Sequence, residues 1–317
     1  KFQKAFHLVR LILQTLWTRI RYGITILYYP PGGGQLAPLL RDIFFLLSVR
    51  WLFKRCVFHF HASGVTDYLL RTPFPLRILA RMAYGKPDAA ITLSDLNPPD
   101  GLRLNAKRNY LIPNAIPDLR NRYPSRPPSL DQTPRLLMAG VLRESKGLFV
   151  LLEACALLHE KDVKFRLQLM GEFDSSKTRR KFNELMKMRS IRPHVELLGV
   201  MEGSPKWETF ANADIFCFPS FVDGETFGLG NLEAMQFSLP IVATKWGGIP
   251  TVVEDQKTGL LIPPRDSQAL ANALEKLIQD PSCRRELGTN GRKRFEEYFR
   301  LSDWHRAMEQ VFANLGT

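Results

Sequence analysis

The chain has 317 residues, 45% of them apolar and 24% charged, with 21 glycines and 22 prolines, which excludes fibrous and disordered classes and allows two domains, each with its own core. Its 44 Lys and Arg against 31 Asp and Glu leave a net charge of +13, and the excess is one-sided: residues 1–130 hold 19 basic residues against six Asp, whereas residues 131–317 hold 25 of each sign. A lopsided basic half implies an anionic partner, whether nucleic acid, acidic lipid or a phosphate-bearing substrate.

Near the start, Phe2, Phe6, Val9, Leu11, Ile12, Leu13, Leu16 and Trp17 form an apolar stripe interrupted by Lys4, Arg10, Arg19 and Arg21. This is the pattern of a helix lying on an anionic membrane surface; the alternative is a helix that covers the sheet of its own domain and keeps its basic residues outside. No run reaches the ~18 apolar residues needed to span a bilayer, and no signal-peptide cleavage pattern follows. Strands are expected at residues 24–29, 56–61, 89–94 and 109–114, with a helix over 39–52. Such alternation marks a parallel sheet with helices on both faces. The first strand ends in Gly32-Gly33-Gly34; no Gly-Lys-Ser/Thr follows, so it is no Walker A motif, and it reads either as a plain loop or as a flexible turn that admits a bulky ligand.

Residues 118–134 contain four prolines, several arginines and no periodicity, as expected of an interdomain linker. A second alternating unit follows, with strands at 135–139, 165–170 and 195–198, a helix over 147–159 and a basic helix near 179–188. Residues 213–219 are an apolar run closed by Pro219, a buried strand, and the next helix opens near Leu229 and ends before Pro240. Asp266 and Ser267 cap a helix that runs to about residue 279. The four cysteines, Cys56, Cys155, Cys217 and Cys283, form no Cys-x-x-Cys pair, and they read as reduced thiols of a cytosolic protein.

The most informative stretch joins the buried strand to that helix. Glu225 lies in a glycine-punctuated loop, and Glu233 follows after seven intervening residues, about one turn into the helix. The loop sits at the carboxyl end of a strand, where open α/β sheets bind ligands. The first amides of the helix lack intrahelical partners and suit a phosphate. Taken singly, each Glu is more often an ordinary surface or dipole-complementing residue.

Taken in order, however, the residues resemble a known family. Glu225-Thr226-Phe227-Gly228-Leu229-Gly230-Asn231-Leu232-Glu233-Ala234-Met235, then Leu239 to Thr244, Gly247-Gly248-Ile249-Pro250 and Thr258 to Ile262, are similar to the retaining GT-B glycosyltransferases of family 4. Upstream, Gly140-Val141-Leu142-Arg143-Glu144-Ser145-Lys146-Gly147 resembles the family's phosphate-binding segment. The resemblance implies an α/β GT-B fold with two Rossmann-like domains facing across a cleft. The acceptor-side domain would be residues 1–125 plus a returning helix near 302–317, and the donor-binding domain residues 126–301. The family begins with a strand that this sequence does not show ahead of its first helix, so an N-terminal domain without that strand is expected.

The resemblance also assigns roles. Glu225 and His61 are the catalytic candidates, Glu225 stabilising positive charge at the anomeric centre and His61, at a strand end, facing the transferred sugar; His59 lies on the same face. Lys146 takes the donor diphosphate with Gly140, the backbone amides of Thr226, Phe227, Gly228 and Leu229 bind phosphate, and Glu233 accepts from the ribose hydroxyls. Where the family often carries Arg after the glycine, this chain has Val141, and Arg143 is the residue that could replace it. With no Asp-x-Asp motif, the implied site uses no metal and no cofactor beyond the nucleotide-sugar substrate. The expected activity is transfer of a sugar to a carbohydrate or lipid-linked acceptor in cell-surface polysaccharide or glycolipid synthesis, cytoplasmic and peripheral to the membrane face. Two rivals stand beside it: a nucleotide-sugar-binding protein with little turnover, and a GT-B-fold epimerase acting without an acceptor. Nucleic acid is not an expected partner, because no aromatic or Gly-rich binding motif accompanies the basic residues.

Overall fold

A computed structural model of the protein describes residues 2–124 and 133–316, with the side chains of Phe2, Lys4 and Ala5 outside that description. The chain forms two compact units, residues 1–113 with 304–317, and residues 114–303.

The first unit runs α1 (Phe2–Tyr22), β1 (Ile26–Tyr29), α2 (Leu36–Val49), β2 (Arg55–Phe60), α3 (Val65–Leu70), α4 (Phe74–Tyr84), β3 (Ala89–Thr92), α5 (Asp100–Arg103) and β4 (Asn109–Leu111). Its four strands are parallel and lie in sequence order, β1-β2-β3-β4. Helix α1 has two apolar faces. Ile12, with Leu8 and Leu16, packs on the core, while Phe6, Leu13, Trp17 and Ile20 face outward. No helix among the described residues is long and apolar enough to cross a membrane.

The second unit runs β5 (Arg135–Ala139), α6 (Leu148–Glu160), β6 (Arg166–Met170), α7 (Ser176–Met188), β7 (Val195–Gly199), α8 (Gly203–Asn212), β8 (Ile215–Phe218), α9 (Leu229–Met235), β9 (Ile241–Thr244), α10 (Ile249–Val252), β10 (Gly259–Ile262), α11 (Ser267–Gln279) and α12 (Pro281–Tyr298). Its six strands are parallel in the order β10-β9-β8-β5-β6-β7. Strands β8 and β9 are buried at every position because helices cover both faces, which is why they read as unbroken apolar runs. Helix α11 starts where expected, with the Asp266 carboxylate accepting from the Ala269 amide at 2.8 Å. The last helix, α13 (Leu301–Asn314), carries Met308 and Val311, which pack with Leu315 on Val57, Ala89 and Ile91 of the first unit.

The expected linker needs correction. Residues 118–123 are packed onto the second unit: Asp118 pairs with Arg292 at 2.5 Å, the Leu119 amide donates to Gln236 Oε1 at 2.9 Å, and Arg120 donates to Ser238 Oγ at 2.7 Å. The boundary therefore falls after Pro113 and not near residue 125. Partners more than 100 residues away hold this segment, so its own composition could not reveal them. Residues 125–132 lie outside the described part.

Candidate active site

The sheet order sets the site of the second unit. Strand β5 lies between β6 and β8, so connections leave its two sides in opposite directions, the topological switch point where open sheets bind ligands. The order also makes neighbours of the loops that leave β5 and β8. Along the β5 loop a single 3-10 turn, Glu144–Lys146, ends at Gly147, whose φ of +83° suits glycine and whose added Cβ would lie 2.1 Å from the Pro219 carbonyl oxygen. The Phe221 amide donates to the Ser145 carbonyl at 2.8 Å. Backbone thus locks the two loops together.

At that junction Lys146 Nζ meets Glu225 Oε2 at 2.7 Å, with side chains 24% and 12% exposed. Ser220 Oγ donates to the same oxygen at 2.9 Å. The ammonium also stands 5.2 Å from the centre of the Phe218 ring, a favourable cation–π placement. The loop after β9 grips Glu225 from a third side: the Gly248 amide donates to the Glu225 carbonyl at 2.9 Å, and Trp246 Nε1 donates to the Val222 carbonyl at 2.9 Å. Gly247 has φ +51°, and its added Cβ would fall 2.1 Å from the Glu225 carbonyl oxygen. One carboxylate is therefore positioned by three successive loops at one edge of the sheet.

Beyond Glu225, Thr226 and Phe227 are buried, Gly228 caps α9 with φ +78°, and Leu229 is exposed. Glu233 does not join the Lys146 cluster but pairs with Lys206 Nζ at 2.6 Å, their side chains 19% and 25% exposed. Each carboxylate thus has a lysine of its own, at opposite ends of the segment. Gly140 has φ +130° with open space where a Cβ would stand. Arg143 lines a cavity together with Ser145 and Phe221, and neither Lys146 nor Glu225 is among the residues that border it.

Sequence reasoning missed Lys206, Trp246 and the carboxamide of Asn231. Lys206 sits 27 residues before its partner, a separation that carries no periodic signal. Asn231 is fully buried, and neither its Oδ1 nor its Nδ2 has a hydrogen-bond partner among the described residues; a polar residue between apolar ones in a short helix was the available sign. Among the described residues no three His, Cys, Asp or Glu side chains gather as metal ligands.

His61 lies in the first unit, exposed just past β2, its ring centre 4.0 Å from that of His59. His59 is buried and bonded through Nδ1 to the Tyr28 hydroxyl at 2.5 Å. Burial, helped by His61, pushes the His59 imidazole down to about 3, and the partial loss of water around the more exposed His61 ring also lowers it, so the charged form of each is disfavoured. The glycine turn after β1 is anchored: the Gly32 amide donates to the buried Asp42 carboxylate at 2.6 Å, which also accepts from Tyr29 at 2.7 Å and Tyr84 at 2.9 Å.

The model of the glycosyl transferases group 1 matches residues 120–294, the segment that carries Lys146, Glu225 and Glu233. The chain belongs to the group 1 glycosyl transferases. Among relatives of this glycosyl transferase, a D-inositol 3-phosphate glycosyltransferase of Corynebacterium urealyticum is 30% identical over 274 residues, covering 80% of this chain and 62% of that one. A protein of Escherichia coli K12 named for colanic acid biosynthesis is 30% identical over 197 residues, 61% of this chain and 48% of that one. The chain thus spans less than two thirds of the length of the curated relatives it matches. Among solved structures, sucrose-phosphate synthase of Thermosynechococcus elongatus superposes with a TM-score of 0.78 at 23% identity, covering 97% of this chain and 78% of that one. HepE of Anabaena, solved in complex with UDP-glucose, superposes with a TM-score of 0.75 at 18% identity, covering 96% and 82%. At such identities the likeness is one of fold, and the fold is the α/β GT-B type expected from the sequence.

Proposed function

We propose that this chain is a retaining, metal-independent family 4 glycosyltransferase, which moves a sugar from a nucleotide diphosphate donor to an acceptor hydroxyl. The observation that carries the reading is the Lys146–Glu225 pair at 2.7 Å, a partly exposed cation and carboxylate held on adjacent strand ends. Lys146 exchanges Glu225 for a diphosphate oxygen, and the Glu225 carboxylate, still bonded to Ser220, stabilises positive charge on the anomeric carbon. The bond from that carbon to the diphosphate oxygen breaks, the acceptor oxygen bonds on the same face, and its proton passes to the leaving phosphate. The amides of residues 226–229 take phosphate oxygens, Gly140 leaves room for the donor, and Glu233, oriented by Lys206, accepts from the ribose hydroxyls. Arg143 stays outside this reading in view of the cavity it lines, and His61 enters it on the motif alone.

The UDP-glucose complex of HepE supports a nucleotide sugar as donor. Relatives named for colanic acid biosynthesis and for D-inositol 3-phosphate support a carbohydrate or glycolipid acceptor. The outward stripe of α1, with Arg10 beside it, supports docking of the chain on an anionic cytoplasmic membrane face. Incubation with a panel of nucleotide sugars tests the reading: one donor is hydrolysed or transferred, and Glu225→Ala slows turnover by about 10²–10³. No turnover of any donor, or a Glu225→Ala variant equal to the parent, would sink it.

A further inference from the structure

The cavity bordered by Arg143 has a volume of about 720 Å³, within the ordinary range for small-molecule sites. Arg143, Lys177, Lys181 and Arg265 line it against two carboxylates, Glu144 and Asp174. Four cations against two carboxylates leave the lining with a net positive charge of two. Asp174 is occupied by the start of α7, accepting from Thr178 Oγ1 at 2.6 Å and from Ser175 Oγ at 3.2 Å. Glu144 is 69% exposed and stands 3.7 Å from Lys181, a loose and solvated pair.

Two of the four cations rest against aromatic rings. Lys181 Nζ lies 4.1 Å from the centre of the Phe149 ring and the Arg265 guanidinium 4.7 Å from that of Phe221; both rings are buried and line the same cavity. Arg143 Nε is buried with no hydrogen-bond partner among the described residues, a donor whose desolvation is uncompensated. Helix α7 adds to the imbalance. Its first turn has no acidic residue and instead places Lys177 at the positive end of the helix dipole, against the usual preference. Local choices that each cost stability, converging on one concavity, are the mark of a functional site.

We propose that this cavity is a second anion site, separate from the Lys146–Glu225 pair, and that its ligand is a phosphate monoester on a small polar molecule. The planar guanidinium groups of Arg143 and Arg265 suit a phosphate's paired oxygens, and the space beyond one phosphate leaves room for the group it is esterified to. The site does not depend on the donor reading.

Calorimetric titration of the chain at low ionic strength with glucose 6-phosphate, inorganic phosphate and UDP tests it. Glucose 6-phosphate binds, and inorganic phosphate binds about tenfold more weakly. The double variant Lys177→Gln/Lys181→Gln, both lysines being exposed in the native chain, weakens glucose 6-phosphate by about tenfold or more and leaves UDP within about twofold. Lys146→Ala gives the opposite pattern. Equal affinity for the ester and the free ion, or binding of neither, overturns the ester. Glucose 6-phosphate affinity that the double variant leaves unchanged, or that Lys146→Ala abolishes, overturns the site. Loss of UDP binding by Lys146→Ala bears on the donor reading alone, so the two fail independently.

Discussion

Gly147→Ala isolates the backbone contact that holds Lys146 against Glu225. Gly147 has φ +83°, and left-handed backbone costs a residue with a Cβ about 1–2 kcal/mol. The added Cβ would also lie 2.1 Å from the Pro219 carbonyl oxygen and 2.7 Å from its carbonyl carbon, where real Cβ contacts essentially never fall below 3.0 Å. The end of β8 must therefore recede by roughly an ångström, an overpacking cost of about 1–3 kcal/mol. The two contributions together predict a loss of about 2–5 kcal/mol, a large share of a domain's usual stability. Gly199 supplies the control in the same unit, since its φ is +72° and nothing lies within 4 Å of an added Cβ. Gly199→Ala should lose only the strain, about 1–2 kcal/mol. Urea unfolding followed by the fluorescence of Trp207 and Trp246 measures both, with two transitions fitted if the units unfold separately. Because the Phe221 amide and the Lys146–Glu225 pair bridge the same two loops, Gly147→Ala should also weaken donor binding. If the two variants differ by less than about 0.5 kcal/mol, the contact does not constrain the loops and the reasoning fails.

Three further outcomes follow from particular side chains. Lys146→Ala should raise the donor KM by about tenfold or more, whereas Glu225→Gln, which keeps the size but loses the charge, should act mainly on kcat; steady-state kinetics on the two variants would show equal KM effects if the roles were shared. Lys206→Met leaves Glu233 without its partner at 2.6 Å and should weaken nucleotide binding by about tenfold while kcat holds, as read by titration with UDP. His59 gives a pH dependence of known sign. Its native pKa of about 3 lies below the ordinary 6.5, so below pH 6.5 the unfolded chain takes up a proton that the native ring refuses. Its contribution is whole above pH 6.5 and falls by about 1.4 kcal/mol per pH unit toward pH 3. Chemical denaturation of the first unit between those limits should show that slope, reduced in His59→Gln; an unchanged slope would place the proton elsewhere.

Much of the fold was legible because local signals agreed with it. Asp266 before Ser267 announced α11 to the residue, and the continuous apolar runs at β8 and β9 followed from burial on both faces. Helix α12 was missed although it opens with an Asp280 cap and Pro281, because Gly288 and Gly291 in its interior argue against a helix. The structure explains the first of them: a Cβ at Gly288 would stand 2.0 Å from the Ser238 carbonyl oxygen. Helix α1 offered one apolar stripe to two readings; the structure packs Ile12 on the core and leaves Phe6, Leu13, Trp17 and Ile20 outward, the face on which the membrane proposal rests.

For the site, the sequence by itself supplied the candidate residues and their strand-loop-helix setting: two carboxylates eight positions apart, a lysine and glycine after another strand, and the family these carry. What the tertiary structure decided is which groups meet. Lys146 and Glu225 are 79 residues apart and touch only because β5 and β8 are neighbours in the sheet, a pairing no local pattern encodes. The contact of Lys206 with Glu233 likewise depends on packing between elements. Periodicity reports the face a residue occupies on its own element, whereas partners across elements are chosen by strand order and close backbone approach.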